Sequence, residues 1–270
     1  MAKEELLRLD NINFSYQKRT ILSNISFSLT QGELILLLGP NGGGKTTLLK
    51  ILLGLLQPRQ GSVFFAGEPL TAYSRAQLAR RIAYVPQAHR EIFAYTVEEV
   101  ALLGRTPYQS LFAVASAEDK RIAQAALEKL DIAHLGQRCY TEISGGERQL
   151  TLIARALVQG AELFIMDEPV SGLDYGNQMR LLEDIGKLAA TGISCIMTSH
   201  FPDHALLTDC RAVLLHNGGI IADGAPTDVI TRNNLRLLYH IEAEVLATPD
   251  GGRCFCLPTW AMREEERRLS

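Results

Sequence analysis

The chain is 270 residues long, 47% hydrophobic and 21% charged, with a formal net charge of −3. That length supports one large or two small domains with a sizeable core, and the near-neutral charge excludes a general nucleic-acid binder. No apolar run approaches the roughly 20 residues that span a bilayer, and the Met1-Ala2-Lys3-Glu4-Glu5 start lacks the charged-then-apolar layout of a signal peptide, so an unexported chain is expected.

The first third is strand-rich. Leu6 to Tyr16 and Ile21 to Leu29 carry an apolar/polar alternation of period two, imperfect in the second. Leu34 to Leu38 is a continuous apolar run and predicts a buried strand, followed by a glycine-rich turn and a helix over Thr46 to Leu53. Ser62 to Ala66 predicts another strand, ended by Gly67 and Pro69; Leu78 to Arg81 closes a short helix before a strand at Ile82 to Val85.

The middle of the chain, about 88–160, reads as helical. Ile122, Ala126 and Leu130 lie on one stripe, and Leu150, Ile153, Ala154, Leu157 and Val158 follow the i, i+3, i+4, i+7, i+8 spacing. Strand and helix then alternate: Leu163 to Met166, a helix over Asn177 to Ala189, Ser194 to Thr198, and a hairpin of Ala212 to Leu215 with Ile220 to Ala222 around Gly218 and Gly219. Alternation of this kind predicts an α/β core with a parallel sheet, interrupted by a helical insertion. From Thr248 the chain carries Pro249, Gly251, Gly252 and Pro258, then charges from Arg263 to Arg268, and is expected to be a loosely attached end. The five cysteines are scattered and expected to be reduced; Cys254 and Cys256 lack the second ligand pair of a zinc site.

Three clusters carry chemistry. Gly39, Pro40, Asn41, Gly42, Gly43, Gly44, Lys45 and Thr46 spell G-x-x-x-x-G-K-[ST] between a strand and a helix. Glycines there let backbone N–H groups curl around phosphate oxygens, and the helix turns its positive end toward them. Lys45 supplies a point charge for the β- and γ-phosphates, and the Thr46 hydroxyl can hold Mg²⁺. Asp167 and Glu168 follow an apolar strand, where both can face the phosphate site: Asp167 to hold Mg²⁺, Glu168 to polarise an attacking water. Ser144 precedes an amphipathic helix, an N-cap with Gly145 and Gly146 exposing backbone N–H groups.

These motifs, in this order, together with Ser171-Gly172-Leu173-Asp174 and His200, resemble the nucleotide-binding subunit of an ABC transporter over roughly Leu6 to Val245. The resemblance implies a P-loop NTPase-type parallel sheet core with an N-terminal antiparallel β subdomain and an inserted α-helical subdomain. It implies one ATP-binding domain over 1–247 and a C-terminal tail over 248–270. It makes Tyr16 the aromatic that stacks on adenine, Gln87 the glutamine that senses Mg²⁺ and links to the membrane partner, and His200 the histidine that bonds the γ-phosphate. Asp174 becomes the acid that crosses a dimer interface; by its position alone it is equally an N-cap for the helix near Asn177. Thr47 joins the phosphate-binding set, and Ser144, Gly145, Gly146 and Glu147 the surface that meets ATP held by a second copy. ATP and Mg²⁺ are the implied cofactors. A homodimer, membrane permease subunits and, indirectly, a substrate-binding protein are the implied partners, at the cytoplasmic face of the plasma membrane.

Four positions depart from the family's habit: Glu147 stands for Gln, Ile143 for Leu, Val170 for Thr, and Gly43 for Ser, Ala or Cys. Phe93 to Arg105 and Leu235 to Val245 are similar to segments of importers of metal chelates (ferric siderophore, haem, cobalamin), an architecture that molybdate importers share. Thr96 and Glu99 there form a capping box. An exporter motor and a soluble, non-transport ABC ATPase are the alternative readings; the single set of motifs and the short insertion weigh against the second.

Overall fold

The computed structural model describes residues 4–87, 94–109, 114–249 and 253–261. Phe93 and Arg263 to Arg268, singled out above, lie outside the described residues.

β1 (Glu5–Tyr16) and β2 (Arg19–Thr30) pair antiparallel through several bulges. The bulges explain the imperfect alternation. Asn24 takes a left-handed turn at φ 52°, so the buried positions run Leu22, Ile25, Phe27, Leu29, with one spacing of three. β3 (Leu34–Leu38) enters the glycine-rich loop, and α1 (Lys45–Leu52) leaves it. β4 (Gln60–Phe65) and the two-residue β5 (Glu68–Pro69) complete a four-stranded sheet of order β2-β1-β4-β5. α2 (Arg75–Arg81) leads into β6 (Ile82–Val85).

The helical insertion carries the predicted stripes on two of its helices. α3 (Val97–Leu102) begins at the expected Thr96–Glu99 capping box and runs into a 3₁₀ segment; α4 (Ala117–Lys129) and α5 (Gly145–Gln159) follow. β7 (Leu163–Met166), α6 (Tyr175–Ala190), β8 (Ser194–Ser199) and the short α7 (Asp203–Leu207) return the chain to the core. β9 (Arg211–His216) and β10 (Gly219–Gly224) form the expected hairpin, and α8 (Pro226–Val229) and α9 (Arg232–Tyr239) follow it.

The central sheet has the order β10-β9-β3-β8-β7-β6, parallel throughout except at the β9–β10 edge. Its middle strand is buried on both faces, which is why it reads as an unbroken apolar run. Leu34, Leu36 and Leu38 join the core beneath the helical insertion; Ile35 and Leu37 join the core beneath the antiparallel sheet. Two hydrophobic cores therefore meet across one sheet, and truncating Leu37, fully buried, to Ala costs about 2–5 kcal/mol.

The expectation of a loose C-terminal end does not hold for the described part. β11 (Ala243–Ala247) pairs with β12 (Cys254–Pro258), and the Cys256 N–H donates to Asp203 Oδ1 at 2.7 Å. Arg253 Nη1 reaches the Leu207 carbonyl at 3.0 Å. Alternating Cys254, Cys256 and Pro258 supply enough apolar surface to seat a short hairpin on α7, which the turn residues around it obscured in the sequence. Among the described residues no helix is long and apolar enough to cross a membrane.

Candidate active site

The carboxyl ends of β3, β7 and β8 lie side by side, so the segments that leave them converge. The loop after β3 is held tight against β9: a Cβ at Gly39 would strike the Leu215 carbonyl oxygen. Gly44 closes the loop at φ 99° as the N-cap of α1, and no side chain caps that helix. Its first-turn N–H groups are left for an anion.

Lys45 is buried at 5% exposure, and its Nζ donates to the carbonyls of Gly39 at 2.8 Å and Pro40 at 3.1 Å. The loop thus holds its own cation through two of its carbonyls. Burial lowers the Lys45 pKa, opposed by the nearby charges of Glu168 and Asp167. Asn41, Gly42, Gly44, Lys45, Thr46 and Thr47 line an open cleft with Arg19, Ile21 and Glu168; Pro40 and Gly43 line its continuation beside Asn217.

Asp167 is fixed from two sides. Thr46 Oγ1 donates to its Oδ2 at 3.0 Å, and Thr198 Oγ1 donates to its Oδ1 at 2.8 Å. Glu168 takes a left-handed backbone at φ 46°, rare for a side chain of its size, and its N–H donates to Thr198 Oγ1 at 2.8 Å. Its Oε1 lies 3.6 Å from Lys45 Nζ and 3.4 Å from His200 Nδ1. His200 follows β8 directly, and its ring packs on Phe201 with centroids 4.1 Å apart. Gln87, just past β6, donates through Nε2 to Ser171 Oγ at 2.9 Å.

Tyr16 ends β1 opposite Arg19, which lines the cleft; its ring is 47% exposed and packs edge-on against Phe14 at 4.9 Å. The fold therefore brings the phosphate loop, Asp167, Glu168 and His200 to the carboxyl ends of neighbouring strands of the central sheet, while Tyr16, on the antiparallel sheet, is paired with a residue that lines the same cleft.

The α5 end is elsewhere. Ser144, Gly146 and Glu147 border a separate cavity with Ile132, His134 and Arg180, and none of Ser144, Gly145, Gly146 and Glu147 lines the phosphate-loop cleft. Ser144 Oγ accepts from the Glu147 N–H at 3.3 Å while Glu147 Oε2 accepts from the Ser144 N–H at 2.7 Å, a complete capping box. The acid in place of glutamine fills this role fully, and those bonds from Ser144, aided by Arg138 and His134, lower its pKa. Asp174 is the N-cap of α6, with Oδ1 accepting from the Asn177 N–H at 2.9 Å. Of the two readings open for it, the cap is the one made within the chain.

Two residues had no assigned part in the sequence reading. Ser171 anchors Gln87. Thr198 bridges Asp167 and Glu168; its only sequence signal is a hydroxyl directly after the apolar stretch Cys195 to Met197.

A buried lysine in a glycine loop, hydroxyl-braced acids at the next strand ends and uncapped helix amides define a nucleoside-triphosphate-hydrolysing domain on a parallel sheet. The ABC transporter family model matches residues 22–171. The chain is 42% identical over 245 residues to an uncharacterized ABC transporter ATP-binding protein of Haemophilus influenzae, covering 91% of this chain and 93% of that one. To the hemin import ATP-binding protein HmuV of Hahella chejuensis it is 40% identical over 241 residues, 86% of this chain and 91% of that one. A solved structure of an inward-facing, metal-chelate type ABC transporter superposes with a TM-score of 0.84 at 31% identity, over 94% of this chain and 97% of its own. The chain belongs to the ABC transporter family. It is an ATP-binding, ATP-hydrolysing subunit, with the mixed α/β fold of that family's cassettes.

Proposed function

We propose that this chain is the motor of an importer, energising uptake of a metal chelate or related cargo (iron–siderophore, haem, cobalamin or molybdate) through a membrane permease. The importer reading is supported by the likeness to the hemin import subunit and to the metal-chelate type transporter. The active unit is a head-to-tail homodimer. One observation carries this: the phosphate loop and the Ser144 helix end lie on separate surfaces of the chain, so a single copy surrounds a triphosphate on one side only. In the dimer Ser144 and Glu147, with the N–H groups of Gly145 and Gly146, close on ATP held by the partner, and Asp174 with its loop crosses the interface.

Within the site, Tyr16 stacks on the adenine, Gly39 to Gly44 and Thr47 wrap the phosphates, and Lys45 holds the β- and γ-phosphates. The donor set suits Mg²⁺: the Thr46 hydroxyl and the Asp167 carboxylate lie 3.0 Å apart. Hard oxygens with a single carboxylate are how that ion is held beside phosphates, and Gln87, which follows the strand paired with β7, would join them on leaving Ser171. When bound, the ion neutralises charge on the β- and γ-phosphates. Glu168 orients a water and accepts its proton as the water oxygen attacks the γ-phosphorus. The bond to the β–γ bridging oxygen breaks, and ADP and phosphate leave. His200 bonds a γ-phosphate oxygen through that step.

The segment from Gln87 to Arg105 faces the permease. Tyr95 and Leu103 are exposed side chains there, suited to the apolar face of a short permease helix. The motor accordingly sits at the cytoplasmic face of the membrane, with a substrate-binding protein acting on the other side. The test is copurification with a permease, followed by vesicle uptake of a panel of iron–siderophore, haem, cobalamin and molybdate. ATP-dependent uptake of one of these is the expected result. Release of internal cargo instead would make the chain an exporter motor, and a chain that remained single when trapped with a non-hydrolysable nucleotide would remove the dimer.

A further inference from the structure

Thr198 is a fully buried hydroxyl, 1% exposed, that follows the apolar stretch Cys195 to Met197 near the end of β8. A buried hydroxyl is costly unless it is bonded, and this one is bonded twice. β7 pairs with β8 as far as Met166 opposite Met197. Thr198 is the next residue along, so it stands beside the two acids that follow Met166. Its Oγ1 accepts the Glu168 N–H at 2.8 Å, which leaves the hydroxyl proton to be donated to Asp167 Oδ1, also at 2.8 Å.

Those two bonds act on the feature of this site that most needs holding. Glu168 has φ 46°, a conformation that a glutamate does not choose by itself. Its peptide is gripped at both ends, by Thr198 at the N–H and by the Ser171 N–H at the carbonyl, 3.0 Å away. The left-handed turn redirects the chain after Asp167, and the Glu168 carboxylate comes to lie between Lys45 and His200. Extended backbone at this position would continue the strand and carry the side chain elsewhere.

We infer that Thr198 is a positioning residue for hydrolysis, its single hydroxyl setting the backbone of Glu168 and one oxygen of Asp167 together. The inference rests on the reading above that Glu168 activates the water. It follows that the two acids are aligned by a common support, and that loss of this support misplaces the base while leaving the phosphate loop intact, since Thr198 touches none of its glycines or Lys45 through the bonds described.

The experiment compares Thr198→Val, which keeps the shape and removes the hydroxyl, with Thr198→Ser, which keeps the hydroxyl, and with Glu168→Gln, in the full chain. Steady-state ATPase, binding of a fluorescent ATP analogue and thermal unfolding are measured for each. Thr198→Val should lower kcat roughly 10- to 100-fold, with KM and analogue affinity within about threefold of the parent. Thr198→Ser should restore kcat to within about threefold. Wild-type turnover in Thr198→Val, or equal impairment of Val and Ser variants, overturns the inference, as does a loss confined to KM. Unfolding data keep a merely destabilised Val variant from counting: a folded Val variant with full activity and an inactive Glu168→Gln would remove Thr198 alone. Full activity in Glu168→Gln would remove the reading beneath it.

Discussion

Lys45 Nζ lies 3.6 Å from Glu168 Oε1, joining the phosphate loop to the acid that follows β7. His200 Nδ1 approaches the same oxygen at 3.4 Å. The carboxylate thus faces the two side chains that the proposed mechanism assigns to the γ-phosphate.

Glu168→Gln removes the charge and the base together. Nucleotide binding and dimer formation should persist, while kcat falls by about 10²- to 10⁴-fold. Single-turnover hydrolysis with size measurement checks both halves; wild-type turnover would take Glu168 out of the chemistry.

Lys45→Met keeps much of the buried volume and deletes the ammonium. A hydrogen bond to a charged group contributes about 1.5–3 kcal/mol, so ATP affinity should drop roughly 10- to 100-fold. Titration of the nucleotide against the variant reads this directly, and unchanged affinity would contradict the role given to Lys45.

Gln87→Ala breaks the bond to Ser171 and the proposed link toward the permease. Cargo moved per ATP hydrolysed, measured in vesicles holding the whole transporter, should fall more than ATP affinity does. A variant that lost nucleotide binding and kept its coupling ratio would show the glutamine to be a binding residue instead.

His204 offers a pH test of stability. It is buried at 3% exposure, with Nδ1 2.9 Å from Ser199 Oγ, and burial pushes its pKa down to about 4, with Asp203 opposing and His200 assisting. The unfolded chain, near 6.5, therefore binds the proton first. Stability from this group is full above that value and is lost as pH falls toward 4, by on the order of 3 kcal/mol. Urea midpoints for the parent and His204→Asn should converge across this window; parallel curves would mean that folding leaves the proton affinity of the histidine unchanged.

Glu147→Gln should cost less than about 1 kcal/mol, because a glutamine oxygen keeps the Ser144 N–H bond and loses only the charge that the helix N-terminus favours. Ser144→Ala, which opens the capping box, should cost about 1 kcal/mol. Calorimetry on the two variants separates the cap from any part Glu147 plays toward a second copy.

The motifs were legible in the sequence because each is contiguous. A glycine run between an apolar strand and a helix, or two acids after a strand, has its meaning within a few residues, and the apolar run of Leu34 to Leu38 announced a strand buried on both faces. Local caps were legible for the same reason: Thr96 with Glu99, and Ser144 before its helix. Tertiary structure decided what depends on register between distant strands. It set Thr198 beside Asp167 and Glu168, turned Glu168 left-handed, gave Gln87 the hydroxyl of Ser171, and folded Cys254 to Pro258 back onto α7. It also put the Ser144 helix end on a surface apart from the phosphate loop. Pairing between residues tens of positions apart is chosen by the packing of two cores on one sheet, and no local pattern along the chain encodes which polar side chain will stand next to which.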